Sequence, residues 1–169
     1  MPNILSKNRG HTIVEILIAM AVFSVIMVSI TSFFIFQDKT YLAQGGIVEM
    51  QRNSRNAMRF IIKQLREATS VDVIDVETDQ ITFNSVEDNL TRSFSYDGDN
   101  DLLTFSKGGT PVRYFRNVSN FTLKGDSANA SDVKKIKVTL ETHTENLDPI
   151  MKHYHYCVSE SDVTLRNLI

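Results

Sequence analysis

The sequence predicts an α+β fold, in which a long N-terminal membrane-spanning helix packs its C-terminal half on an antiparallel β-sheet. Three observations carry this expectation. Residues 16–36 hold no charged side chain, apolar residues then recur every three or four positions to Ala68, and beyond Thr69 the period becomes two.

The first element follows from length. The run from Ile13 to Phe36 holds 24 residues, about 36 Å as a helix, which exceeds a bilayer core of about 30 Å. Ser24, Ser29, Thr31 and Ser32 are tolerable within it, because a helix lets hydroxyls bond back to carbonyls one turn earlier. Lys7 and Arg9 precede the run, whereas Asp38 and Lys39 cancel after it. The positive-inside rule then keeps the N-terminus cytoplasmic and exports the remainder. A secretory signal peptide has an apolar region of about 7–15 residues, shorter than this one. Glu15 stands one residue before the uninterrupted apolar run. An acid at bilayer depth costs on the order of 2.5–3.5 kcal/mol on insertion scales and calls for a partner, whereas among headgroups it is cheap. The span itself holds no Lys or Arg.

Bulk composition sets limits. The 169 residues suffice for one ordinary domain plus an accessory segment. A net charge of −2 and a pI of about 6.1 provide no overall basic field that predicts nucleic-acid binding. Cys157 is the single cysteine, so no intrachain disulfide forms and an exported domain must rely on core packing.

Residues Lys7-Asn8-Arg9-Gly10-His11-Thr12-Ile13-Val14-Glu15 resemble the class III signal of type IV prepilins. That signal is a short basic leader ending in Gly, a cut after the Gly, Glu as fifth residue of the mature chain, and then a long apolar helix. The resemblance places the cut between Gly10 and His11, with N-methylation of His11, and makes Glu15 the fifth residue. Ile16-Leu17-Ile18-Ala19-Met20-Ala21-Val22 is also similar to pilins. A Gly at the cut suits a peptidase that needs close backbone approach. One difference is His11 itself, since mature pilins mostly begin with Phe or another apolar residue. The resemblance further implies a partner for Glu15. In pilins the α-amine freed on one subunit lies near the fifth-residue Glu of its neighbour, where low dielectric strengthens the attraction.

After the span, Ile47, Met50 or Gln51, Ser54, Met58, Ile61, Ile62, Leu65 and Ala68 mark one helical face. Arg52, Arg55, Asn56, Arg59, Lys63 and Arg66 fill the rest, which reads as a solvated surface rather than an anion site. Gly45-Gly46 weakens the helix by roughly 1 kcal/mol per glycine, so a soft point is expected there. Short strands follow at Val71–Val76, Ile81–Phe83, Phe94–Tyr96, Leu102–Phe105, Val112–Phe115, Phe121–Leu123, Ile136–Leu140, Met151–Val158 and Val163–Leu165. Asp97-Gly98, Gly108-Gly109-Thr110-Pro111, Lys124-Gly125-Asp126 and Asp148-Pro149 supply the turn chemistry between them. Lys134–Thr142 alternates cleanly, so one face of that strand is wet.

Gln51–Met58 and Leu65–Ala68 resemble the helix of PilW-like minor pilins and of the related J-type pseudopilins of type II secretion. Tyr96–Asp101, followed by a Gly-Gly turn, and the closing Val163–Asn167 are similar to the same group. The resemblance implies a leader at 1–10, a transmembrane assembly helix at 11–36, an extracytoplasmic helix at 37–69 and a β-rich domain at 70–169. It implies a minor pilin helping to start a type IV pilus at or near its tip. Its partners would be other pilins, a prepilin peptidase and the inner membrane, with no cofactor and no nucleic acid. The outermost secretion subunit lacks the fifth-position Glu, so Glu15 argues against the terminal place. A J-type pseudopilin is the nearest alternative. A DNA-capturing pilin, expected to show a basic stripe or exposed aromatics, and an anchored ligand-binding domain are alternatives of another class.

Two constellations suggest metals. Asp97, Asp99 and Asp101 supply hard oxygen ligands suited to calcium, although an EF-hand needs Gly and Glu where Leu102 and Gly108 stand, and a hairpin turn is the simpler reading. His153, His155 and Cys157 would share one face of a strand and could ligate zinc, with His143 a candidate for the fourth place, although an exposed strand face carries such residues routinely and that is the simpler reading. No phosphate loop, Gly-x-Ser-x-Gly or zinc-protease motif is present in the sequence, so no enzymatic activity is expected.

Overall fold

The computed structural model describes residues 13–75, 80–85, 90–127 and 133–165. The chain divides into two compact units, Met1–Leu42 and Ala43–Ile169. One helix, α1 (Ile13–Arg66), contributes to both.

Within the first unit, α1 exposes apolar side chains around its circumference, among them Leu17, Phe23, Val28, Phe33 and Phe36. A helix apolar all round finds its solvent in lipid or in another helix. The hydroxyls behave as the sequence suggests. Ser24, Ser29, Thr31 and Ser32 donate to the carbonyls of Met20, Val25, Met27 and Val28 at 2.8, 2.9, 2.8 and 2.9 Å.

In the second unit the helix becomes one-sided. Met50, Ser54, Ala57, Met58, Ile61, Gln64 and Leu65 are buried, while Arg52, Arg55, Arg59, Lys63 and Arg66 are exposed. The expected soft point is not a break, since α-helix continues through Gly45 and Gly46. Neither glycine is demanded by space: a Cβ at Gly45 would meet nothing within 4 Å, and one at Gly46 only Thr144 Cγ2 at 3.9 Å. Burial farther along the helix offsets their weak propensity.

The strands are β1 (Ala68–Asp75), β2 (Gln80–Ser85), β3 (Thr91–Asp97), β4 (Leu102–Lys107), β5 (Thr110–Arg116), β6 (Val118–Gly125), β7 (Lys135–His143) and β8 (Tyr156–Thr164). They form two antiparallel sheets rather than the single one expected, five-stranded β1-β2-β3-β4-β5 and three-stranded β6-β7-β8. Asn117 makes the division. It is the one residue between β5 and β6, and its φ of 61° turns the chain out of the first sheet. Asn tolerates this left-handed region better than most residues. The corner is held by Val118 N donating to Asp101 O at 3.0 Å and His143 N donating to Asn117 O at 2.9 Å.

Both sheets and the helix meet in one core. Phe83, Phe94 and Phe105 of the first sheet adjoin Phe121, Val138 and Leu140 of the second, with Ala57, Met58, Ile61 and Leu65 of α1. Phe60 places its ring edge-on to Phe105 at 5.1 Å between centroids and to Phe94 at 6.4 Å. Each fully buried large apolar side chain contributes roughly 1.5–3 kcal/mol. Such packing meets the requirement raised by the lack of a disulfide.

The remaining expectation for the strands changes at the C-terminal end. Val163 and Thr164 lie within β8, and Met151–His155 is a loop, not the start of a strand. The cause is Asp148, whose Oδ1 accepts from the amides of Ile150 and Met151 at 2.7 and 2.6 Å. Lys152 then takes φ 59° and the chain reverses.

Candidate functional site: the N-terminal helix

Gly10 and His11 lie outside the described residues, so the scissile bond of the prepilin-like signal has no structural description. Glu15 stands in the first turn of α1. There the free amide groups and the helix dipole favour a negative charge, typically by 0.3–1 kcal/mol. Immediately beyond it, the helix is long and apolar enough to cross a membrane. An acid is thus held at the mouth of a span whose Ile13, Val14, Ile16 and Leu17 are exposed. This surface can bury itself only against lipid or neighbouring helices.

The other singled-out residues are engaged elsewhere. Asp97 accepts through Oδ1 from the amides of Asp99 and Asn100 at 3.1 and 3.3 Å, and through Oδ2 from Asn100 Nδ2 at 2.8 Å. Hydrogen bonding by the Asn100 side chain holds the Asp97 carboxyl below its ordinary value. Asp101 takes φ 51° and turns its Oδ2 to His143 Nε2 at 3.2 Å. The acidic segment is therefore a self-capped hairpin turn between β3 and β4.

The zinc row is not formed either. His155 Nε2 meets Asp148 Oδ2 at 2.9 Å, the His153 ring lies 4.9 Å from that of His155, and Cys157 alone of the three lies in β8. Among the described residues, no three His, Cys, Asp or Glu side chains gather to hold a metal ion. The Asp148–His155 contact, with the Met151 and Ile150 amides, instead holds the Asp148 carboxyl down at about 2. It closes the loop before β8.

One buried polar arrangement was not legible in the sequence. Arg92 of β3 is nearly inaccessible, and its Nη1 donates to Gln64 Oε1 at 2.7 Å and Glu67 Oε2 at 3.0 Å. It ties the C-terminal end of α1 to the first sheet. A second tie joins Ser54 Oγ to Ser159 Oγ of β8 at 2.9 Å. The only sequence signal for Arg92 is its alternation with Phe94, which places both on the inner face of β3.

Residues 5–31 match the family model of the prokaryotic N-terminal methylation motif. No curated protein and no solved structure matches the chain. The matched segment contains Gly10, His11 and Glu15 and extends into the span of α1. The N-terminal segment of this chain is therefore a type IV pilin-like prepilin signal.

Proposed function

We propose that the protein is a minor pilin, PilW-like, which is inserted in the inner membrane and then incorporated into a type IV pilus at or near its tip. The observation that carries this reading is the coincidence of the methylation motif at residues 5–31 with a membrane-length apolar helix followed by an α+β domain. Prepilin peptidase cuts between Gly10 and His11, and His11 is N-methylated. Its α-amine then docks near Glu15 of an adjacent subunit as the helices pack side by side. The two charges relieve each other's desolvation in a dry environment and set the stagger between subunits. The protein acts as a structural subunit rather than an enzyme.

The closing experiment is mass spectrometry of the N-terminus of the membrane-extracted protein. A chain beginning at methylated His11, and an uncut chain in Gly10→Val, is the expected result. A mature chain still carrying Met1–Gly10 overturns the reading. Co-purification with sheared pili separates the pilus subunit from a J-type pseudopilin, which would instead be recovered with the components of a secretion system.

A further inference from the structure

Apolar surface in the second unit is unevenly placed. Besides Val48, Leu90, Val112 and Tyr114, every exposed large apolar side chain described there falls in one stretch, at Leu147, Ile150, Met151, Tyr154, Tyr156 and Val158. This stretch is the loop between β7 and β8 and the start of β8. Apolar residues scattered singly over a surface are normal, whereas a run of them at a loop tip marks a contact. The loop is not exposed for want of order. Thr144 N donates to His155 O at 3.0 Å and Asp148 N to His153 O at 2.9 Å, so the two arms are laced together. Asp148 Oδ1 holds the amides of Ile150 and Met151, and its Oδ2 meets His155 Nε2 at 2.9 Å. The rings of Tyr154 and Tyr156 lie 5.1 and 6.2 Å from that of His143. Met151, 68 % exposed, is thus presented by a braced turn.

The fold fixes where this loop can reach. Thr144, at its base, has Cγ2 3.9 Å from the Cβ position of Gly46. Gly46 is the fourth residue of the second unit, so the loop lies at the end by which the chain enters it. Along the chain, Gly46 follows Phe36, the last residue of the apolar run, by ten residues. That tether is about 15 Å long as a helix and at most about 36 Å if fully extended. Whatever the angle between the two units, a membrane that holds the span is never farther from Gly46 than the tether allows. Tethering also strengthens a weak contact, because the second encounter becomes intramolecular. The side chains suit a lipid boundary. Tyr154 and Tyr156 combine an apolar body with a polar tip, and Lys152 has an apolar stem whose ammonium stays in water. Tyr41, 77 % exposed and five residues before Gly46, gives the outer end of the span the same interfacial character.

We propose that the β7–β8 loop docks on the headgroup layer of the bilayer that holds α1, with Leu147, Ile150 and Met151 entering it and Tyr154 and Tyr156 at its edge. This goes beyond the filament role but rests on the membrane placement of the N-terminal helix. The loop is a second point of attachment, which holds the domain against the membrane until the subunit leaves for the filament. A protein partner has no such tether, so lipid meets the loop first.

The test uses the purified full-length chain in phosphatidylcholine vesicles, with Cys157→Ser to remove the natural thiol. A fluorophore is attached at Met151→Cys, at Val112→Cys on the edge strand β5, or at Phe33→Cys within the span. Quenching is read with lipids brominated near the headgroup or near the chain end. We expect shallow bromines to quench Met151→Cys by about threefold or more over Val112→Cys, and deep bromines to quench Phe33→Cys. Leu147→Ser with Ile150→Ser should bring Met151→Cys down to the level of Val112→Cys. The melting temperature of the domain should not move, since both side chains are exposed. Met151→Cys quenched no more than Val112→Cys, while Phe33→Cys is quenched, overturns the loop contact and leaves the span standing. So does quenching that survives the two serines. An apolar shift at Met151→Cys that grows with the protein-to-lipid ratio, without bromine quenching, marks a second copy on the loop and overturns it too. Absence of quenching at Phe33→Cys is the separate failure of the membrane placement itself, and it removes this contact with it.

Discussion

Residues 13–42 and 43–66 belong to one α-helix, yet they are made for opposite surroundings. The earlier stretch exposes Leu17, Phe23, Val28 and Phe34 on every side, whereas the later one turns Met58, Ile61 and Leu65 inward and five basic residues outward. Hydrogen-bonded geometry is the same in both. What differs is where apolar surface finds a partner. In the later stretch the partner is the domain's own sheets, and in the earlier stretch it must be a bilayer or other helices. The comparison teaches that α-helix alone says little about role, and that the distribution of charge around it says a great deal.

The strongest way to break this comparison is at Glu15. If the earlier stretch is an assembly surface, Glu15→Ala should insert and be cleaved normally, because an apolar residue is cheaper in lipid. Incorporation into filaments should fall at least tenfold, measured by co-purification with other subunits. Glu15→Gln keeps shape but loses charge and should be similarly defective. Normal incorporation of both variants would leave the earlier stretch as a plain anchor.

A matched pair of truncations sharpens the contrast next. Ile61 is fully buried, whereas Ile26 is half exposed. Ile61→Ala should destabilise the domain by about 2–5 kcal/mol, the usual range for a cavity left by a large aliphatic side chain. Ile26→Ala should leave the domain's thermal unfolding in detergent unchanged. Equal effects would mean that the two stretches share one packed environment.

Acid provides a smaller effect confined to the second unit. Asp148 is held at about 2 in the folded state, below the ordinary carboxylate value of about 4. A depressed folded value stabilises the fold above the unfolded pKa, and that contribution disappears as pH falls from about 4 through 2. Unfolding followed by circular dichroism should show a loss of stability over this window that is weaker in Asp148→Asn. An identical acid profile in the variant would remove Asp148 from the account of the loop.

The smallest effect lies where the two stretches join. Gly45 has open space around it and helical backbone. Gly45→Ala should therefore raise the melting temperature, corresponding to a gain of roughly 0.5–1 kcal/mol. A loss of stability would show that the glycine serves a conformation other than the continuous helix.

The sequence by itself determined the elements with a strong local cause. Ile13–Phe36 is long and apolar enough to cross a membrane, the residues around Gly10 and Glu15 pointed to the signal whose family model matches residues 5–31, and alternation in Lys134–Thr142 located β7 with its wet face. Seven strands were placed close to their observed bounds, because side-chain period is a local property. Only the tertiary structure decided the rest, and each case has a nonlocal or conformational cause. The division into two sheets depends on one left-handed residue, Asn117, whose amino-acid type permits that φ without requiring it. The row of His153, His155 and Cys157 required a strand, but Asp148 captured two amides and made a loop instead. Arg92 is buried on β3 because the end of α1 supplies Gln64 and Glu67 across 28 and 25 residues of chain, partners that no local pattern names. Patterns of hydrophobicity reveal which face of an element is buried, but the partner that satisfies a buried charge is chosen only when distant segments meet.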